Sequence, residues 1–554
     1  MGRRKKPAMK DTSRPSLRLP VALLVLAGAL IAGLWWWLGK PVAMPASPLG
    51  PDGKLDCISY APFRNGQSPF DPTTRIERWQ IEDDLARLSR LSNCVRTYST
   101  ELGLDQIPEV AQHYGMKVIL GLWLGSKPER NKLERETAIA LANRYPDVVT
   151  AVVVGNEVLL RGEMAVSDLV NTIRSVKAEI RQPVTYADVW EFWLRHRDVK
   201  DAVDFVTIHI LPYWEDFPVS APRAAAHVDA IHREIAKAFP GKEILIGETG
   251  WPSAGRMREG ALPSPANQAL VLHEVLALAK RQGYRVNVIE AFDQPWKRQL
   301  EGTVGGHWGL LDATTRQFKF AWGVPVSDHP FWQWQAAGGI GFAIVIFAAA
   351  WLAGRGHRLH GLNGVMAWSA VAVNAAVGGG MIGLAIEKMP LESLGIGGWL
   401  RSVALVAAAL LVPIVSSMAL IHGSRLPAYA QIFGPARGRV RAPLARLLGM
   451  LTAAVMTLAI LVAMGLVFDP RYRDFPFAPL TGAIVPLFVL SLFSGNGRGA
   501  RGAAEMAAAA TLTLSAIYIA LNESSTNWQS LWLCGLLLAQ AVTLWRMRDA
   551  RSSE

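Results

Sequence analysis

The chain has 554 residues, 51% of them hydrophobic and 18% charged, with a net charge of +12. That mixture fits a soluble domain fused to membrane segments. The three cysteines, Cys57, Cys94 and Cys534, are too few and too scattered for a disulfide framework or a zinc site, and no basic patch interleaved with aromatics points to nucleic acid.

Residues 1–18 form a basic tail with seven Lys/Arg. The apolar run at 19–39, LPVALLVLAGALIAGLWWWLG, is long enough to cross a bilayer. It is long for a cleavable signal peptide and lacks a small-x-small cleavage site, so it reads as an uncleaved anchor. A Pro-rich linker occupies 40–53.

From 54 to 326, eight strand-like runs alternate with helical patterns. The runs are KLDCISYAPF, NCVRTYST, KVILGLWLG, VTAVVVGNEV, PVTYADVW, VDFVTIHILPYW, EILIGETGWP and VNVIEAFDQPW. Segments such as RIERWQIEDDLARLSRL and VSDLVNTIRSVKAEI lie between them. Eight βα units in this length predict an α/β fold, a (β/α)8 TIM barrel with its active site at the C-terminal ends of the strands. An open doubly wound sheet is disfavoured because no Gly-rich phosphate loop follows the first strand. Cys57 and Cys94 fall on neighbouring strands and read as buried thiols.

Residues 327–546 carry apolar runs near 332–353, 364–386, 399–421, 447–468, 478–494, 503–521 and 528–546. With the anchor these predict an all-α polytopic region of eight spans, followed by a tail at 547–554. If the N-terminus is cytoplasmic, the cytoplasmic segments hold nineteen Lys/Arg, including Arg355, Arg358, Arg498, Arg501, Arg546, Arg548 and Arg551. The short loops on the other side hold only Lys388, Arg471 and Arg473. The bias places both termini in the cytoplasm and the barrel outside it.

Two barrel strands end in a glutamate. VVVGNEV delivers Glu157, preceded by Asn156, and EILIGETGWPS delivers Glu248. A charge at the end of a buried strand costs free energy unless it is paired or used. A lone Glu there is more often a helix N-terminal carboxylate favoured by the dipole. Two at equivalent strand ends suit glycoside hydrolysis, in which one carboxyl donates a proton and the other attacks the anomeric carbon. Asn156 is placed to bond a sugar 2-hydroxyl. Trp123, Trp190, Trp214, Trp251, Trp296 and Trp308 fall at or after strand ends, where indoles either stack on glucose rings or pack the core. His209 reads equally as a residue orienting a carboxylate or as a hydrogen-bonded structural histidine. No cluster has metal-ligand spacing in sequence, and neither a metal nor a cofactor is expected.

VVVGNEV, IGETGWPSAG and FDQPWK…HWGLLD, in this order across nearly all of 54–326, resemble the motifs of glycoside hydrolase family 17, whose members are retaining enzymes acting on β-1,3-glucan. The resemblance implies that Glu157 is the acid/base and Glu248 the nucleophile. It further implies substrate-side roles for Arg96, Tyr98, Tyr213, Asp293 and Lys297, with Trp123, Trp251 and Trp296 as stacking candidates. Gln294 departs from the pattern, since many relatives carry Glu there. The whole chain resembles bacterial membrane proteins that join such a domain to a helical region, some described as β-(1→6)-glucan synthases. No clustered aspartates or Gln-x-x-Arg-Trp motif of a nucleotide-sugar synthase is visible, so new bonds would come from existing glucan. The implied activity is a β-1,3-glucan glucanosyltransferase at the bacterial inner membrane, acting on periplasmic β-1,3/β-1,6-glucan, with a partner glucan synthase or exporter as a further expectation. An endo-β-1,3-glucanase is the alternative. A glucan-binding or export protein with an inactive barrel is the alternative of another class.

Overall fold

A computed structural model describes residues 17–355, 362–435, 439–493 and 500–548. The basic tail before residue 17, Arg358, Arg498 and Arg551 lie outside the described residues. The soluble half contains β1 (Cys57–Ser59), β2 (Cys94–Arg96), β3 (Lys117–Leu122), β4 (Val149–Asn156), β5 (Val184–Val189), β6 (Val206–His209), β7 (Ile244–Thr249) and β8 (Arg285–Val288). All neighbours pair in parallel, and β1 also pairs with β8, closing the barrel. After α1 (Arg18–Leu38), one helix follows each strand: α2 (Arg78–Leu88), α3 (Ile107–His113), α4 (Pro128–Arg144), α5 (Val166–Glu179), α6 (Trp190–Arg195), α7 (Ala221–Ala238), α8 (Pro265–Gln282) and α9 (Arg298–Gly305). The barrel read from the sequence is the fold observed.

Strand alternation sorts the side chains into two layers. Ile58, Val95, Val118, Val152, Ile208 and Ile246 join the large core shared with the helices. Cys57, Cys94, Ile119, Ala151, Val153, Ala187, Phe205 and Leu245 form a separate buried cluster, as expected of the barrel interior. Here the structure corrects the reading of two free thiols. Cys57 and Cys94 are joined by a disulfide. Ile58 is in register with Val95 across β1 and β2, so the preceding residues are neighbours that share a face, with Cα atoms 4.3 Å apart. Strand adjacency, which the spacing in sequence conceals, makes the pair possible.

The C-terminal half comprises α10 (Trp332–Ala353), α11 (Leu362–Glu392), α12 (Gly395–His422), the short α13 (Tyr429–Phe433), α14 (Pro443–Phe468), α15 (Phe477–Phe493), α16 (Ala503–Asn522) and α17 (Trp528–Arg546). Among the described residues six helices are long and apolar enough to cross a membrane: α1, α10, α11, α12, α14 and α16. Of the eight runs expected to cross, α15 is shorter, at 17 residues, and α17 is not among the six, yet both pack into the same core. Small residues set the closest approach. A Cβ on Gly339 would lie 2.2 Å from the Gly379 carbonyl oxygen, and one on Gly379 would lie 2.5 Å from Ile31 Cδ1, so α1, α10 and α11 meet where side chains are absent.

The two halves are joined at both ends of the barrel sequence. Val42 and Val326 pair as an antiparallel bridge, and Ser327 Oγ donates to the Gly39 carbonyl at 2.9 Å. The loop after β7 and helix α9 also dock on the helical half. Buried Arg256 forms an ion pair with Glu523, donates to the carbonyls of Pro470 and Arg473, and lies 4.5 Å from the Phe475 ring centroid. Met257 N–H donates to Gln529 Oε1 at 2.9 Å, Asn527 Nδ2 donates to the Met257 carbonyl at 3.1 Å, and Thr303 donates to Asp474 at 2.7 Å.

Candidate active site

Two local irregularities aim the glutamates. On β4, Gly155 has φ +86° and Glu157 φ +55°, so the chain turns sharply as it leaves the strand. The Glu157 N–H still bonds the Ala187 carbonyl of β5 at 2.8 Å, which fixes the turn to the barrel rim. On β7, the register against β8 shifts between Ile246 and Thr249. Strict alternation from the interior residue Leu245 would aim Glu248 outward, whereas the shift re-aims it inward. Gly247 permits the close approach that results, because a Cβ there would lie 2.4 Å from Thr207 Cγ2.

His209, at the end of β6, is two positions beyond Thr207 and four beyond the interior residue Phe205 that precedes the strand, and stands between the two acids. Its Nδ1 is 2.8 Å from Glu157 Oε1, and its Nε2 is 3.6 Å from Glu248 Oε1. The Arg96 guanidinium is 2.6 Å from Glu248 Oε1 and also donates to Asn156 Oδ1. Tyr98 donates to the same Glu248 oxygen at 2.9 Å. Alternation along β2 explains this: Arg96 and Tyr98 continue the interior face begun by Cys94. Burial works against ionising Glu248, but His209, Arg96 and Lys297 outweigh it and hold the carboxyl down to about 2. Burial pushes the Tyr98 phenol far up, and the negative Glu248 pushes it further, so the phenol stays a donor.

A second layer supports the first. Buried Glu290, just past β8, lies 3.2 Å from Lys297 Nζ. Burial raises its carboxyl to about 7; Lys297 opposes this and the charge on Glu248 adds to it. Asp188, at the end of β5, accepts from Tyr186 and from the Val189 N–H, and burial followed by the charge on Glu157 lifts it to about 6. Arg161 donates to the Asn156 carbonyl and covers the Trp123 ring at 4.2 Å. The sequence reading missed Glu290, Asp188 and Arg161. The first two carried a signal, since each is an acid at a barrel strand end.

The predicted residues divide in place. Glu157, Glu248, Asn156, Arg96, Tyr98 and Lys297 come together, and Trp123 lies beside them through Arg161. Tyr213 and Trp251 are fully buried, donating to the carbonyls of Arg256 and Leu262. Asp293 is buried and accepts from Lys319 at 2.6 Å and from the Gly309 N–H at 2.9 Å, which ties the chain after β8 together. Gln294 likewise bonds the Ala61 carbonyl. Trp308 is buried, while Trp123, Trp190, Trp214 and Trp296 keep part of their rings accessible.

The fold also builds a cluster that no spacing in sequence announces. Possible ligand atoms of Glu157, His209 and Glu248 lie within 4.8 Å of one another. The donor set does not favour a cation, because Arg96 and Tyr98 already occupy the Glu248 oxygen that faces His209.

Residues 57–309 match the family model described as the BtgE/BtgC glycoside hydrolase domain. Over that span the barrel is similar to a glycoside hydrolase domain of the BtgE/BtgC type. It is 28% identical over 262 residues to the probable beta-glucosidase btgE of Aspergillus fumigatus, covering 46% of this chain and 45% of that protein. It is 27% identical over 256 residues to a glucan 1,3-beta-glucosidase of Candida albicans, covering 42% of this chain and 82% of that protein. Among solved structures it is similar to the family 17 beta-1,3-glucanosyltransferase of Rhizomucor miehei, with 28% identity, a TM-score of 0.42, and coverage of 48% of this chain and 95% of that one. The chain thus spans about half the length of the btgE relative.

Proposed function

We propose that this is a membrane-bound, retaining β-glucan-active enzyme of the family 17 type. In this reading it is a β-1,3-glucan glucanosyltransferase that remodels or branches glucan outside the cytoplasm. The observation that carries the reading is the Glu157–His209–Glu248 arrangement, with carboxylate oxygens within 4.8 Å. Retaining pairs stand about 5–5.5 Å apart and inverting pairs about 6.5–9.5 Å. Glu248 is buried, ionised and gripped by Arg96 and Tyr98, as a nucleophile requires, whereas the Glu157 side chain is 24% exposed and accessible to leaving groups.

The reaction runs in two steps. A Glu248 oxygen attacks the anomeric carbon, the glycosidic C–O bond breaks, and the Glu157 proton goes to the departing oxygen. Ionised Glu157 then takes the proton of an incoming hydroxyl, whose oxygen displaces Glu248. A sugar hydroxyl gives transfer, and water gives hydrolysis. A protein held at a membrane beside glucan meets sugar hydroxyls at high local density, and a bound acceptor has the entropic advantage of a positioned reactant. The accessible Glu157 favours a second reading, hydrolysis as an endo-β-1,3-glucanase. The name of the Candida relative supports β-1,3-glucan as the substrate. The apolar helices and the disulfide support a membrane-anchored barrel in an oxidising compartment. The test is product analysis with one β-1,3-linked oligosaccharide as sole substrate. Products longer than the starting chain should appear, and their share should rise with concentration. Only shorter products across the accessible range would establish the hydrolase instead.

A further inference from the structure

Beyond the catalytic pair, the mouth of the barrel has a wall that the barrel does not supply. Trp214 lies five residues past His209, on the loop after β6. Its ring centroid is 6.1 Å from that of Tyr472, which belongs to the loop between α14 and α15 in the membrane half. The Arg471 guanidinium lies 5.6 Å from the Trp214 ring centroid, and Arg258, from the loop after β7, lies 5.3 Å from it. Among the described residues neither arginine has an ion-pair partner within 4.0 Å, and Arg471 is exposed. The membrane loop is seated tightly: a Cβ on Gly302 would lie 2.2 Å from the Tyr472 carbonyl oxygen, and Arg256 binds the carbonyls of Pro470 and Arg473. The place is built on the loops that follow catalytic strands, Trp214 after His209 and Arg258 after Glu248. Glu301, beside Gly302, is pushed up by burial; Lys297 and Arg471 lower it, and Glu157 and Glu248 raise it.

We propose that Arg471 and Tyr472 of the membrane half join Trp214 and Arg258 to form a subsite for a glucosyl ring remote from the bond that reacts. The proposal rests on the glucan reading above. The chemistry fits a neutral sugar: indole and phenol rings take its C–H face, and the guanidinium N–H groups of Arg471, with those of Arg258 that the Tyr213 carbonyl does not engage, are donors for its hydroxyls. It also gives the extra membrane helices a task, because a single anchor such as α1 could tether the barrel but could not position this loop. A ring bound here belongs to a chain several units long, so a long glucan should gain affinity that a disaccharide cannot.

The test uses the full-length protein in lipid nanodiscs, carrying E157Q and E248Q to prevent turnover. A β-1,3-linked hexasaccharide and the corresponding disaccharide are titrated by calorimetry. R471A and Y472A should each lower the hexasaccharide-to-disaccharide affinity ratio about tenfold, equivalent to about 1.4 kcal/mol. Arg471 is exposed, so its replacement spares packing. R473A, whose side chain pairs with Asp469 at 3.0 Å, should keep the parental ratio. An unchanged ratio in R471A and Y472A, with a parent that binds, overturns the subsite alone. An equal loss in R473A overturns the direct contact in favour of loop displacement. A parent that binds neither sugar overturns the glucan reading, and the subsite with it.

Discussion

Glu248 is a buried acid whose burial penalty is overcome by its neighbours, so its ionisation depends on those neighbours. Removing Arg96 should raise its pKa. A carboxylate nucleophile is lost as pH falls through that pKa, so the acid limb of kcat/KM in R96M should move upward by about one pH unit or more. An unmoved limb with merely lower activity would mean that Arg96 only packs the site. The two glutamates should separate by chemical rescue. E248A should lose turnover and recover some with azide, giving inverted product. E157A should slow by about 10²–10⁴-fold, and azide should rescue its second step with retained product. Near-parental rates in both variants would refute the assignment. At this scale the sequence showed the glutamates, Asn156, Arg96 and Tyr98, because each stands at a strand end. It could not show that Tyr213, Trp251 and Asp293 turn into the packing, because a side chain's direction after a strand depends on loops that no periodicity describes. The His209 bridge depends on which strands flank it, and on one bulge.

At the scale of elements, the parallel strands were legible because strands covered on both faces read as continuous apolar runs. Register was not. The shift on β7 that turns Glu248 inward leaves no mark beyond Gly247, and the β1–β2 register that brings Cys57 to Cys94 leaves none at all. Parallel neighbours connected by a helix lie far apart in sequence, 37 residues for this pair, so spacing alone argues against a bond that the fold makes natural. The pairing has a direct check. Of the three cysteines, Cys534 is buried and free. Unfolded without reductant, the protein should take one equivalent of a thiol-alkylating reagent, at Cys534, and after reduction it should take three. Three without reductant would show that the bond does not form. In the chain-entropy account, closing a loop of this length contributes about 3–4 kcal/mol, so C57A should lower the thermal midpoint of the barrel markedly.

For the whole molecule, the apolar runs foretold the helices, but the docking of the two halves was invisible. Arg256, Glu523, Asn527 and Gln529 look like ordinary polar loop residues until the fold brings them together. That docking bears on topology. The end of α1 and the start of α10 flank the barrel, and the α11–α12, α14–α15 and α16–α17 connections touch it. If each of the eight apolar helices crosses once, these are the five places where alternation brings the chain to one side, and they include Arg471 and Arg473, with Lys388 near the adjoining end of α11. The remaining connections carry the excess of Lys/Arg. Contact geometry and charge bias therefore favour the same arrangement, although one derives from packing and the other from sequence. A span that failed to cross, such as the short α15, would invert every connection after it and place the α16–α17 loop opposite the barrel that Glu523 binds. Reporter fusions can decide this. Fusions at residue 45 and near 327 should behave as extracytoplasmic, and those near 430 and 550 as cytoplasmic. A cytoplasmic signal at 327 would overturn the external barrel. An extracytoplasmic signal at 550, with 430 still cytoplasmic, would mean that one of α14 to α17 does not cross, the short α15 first among them.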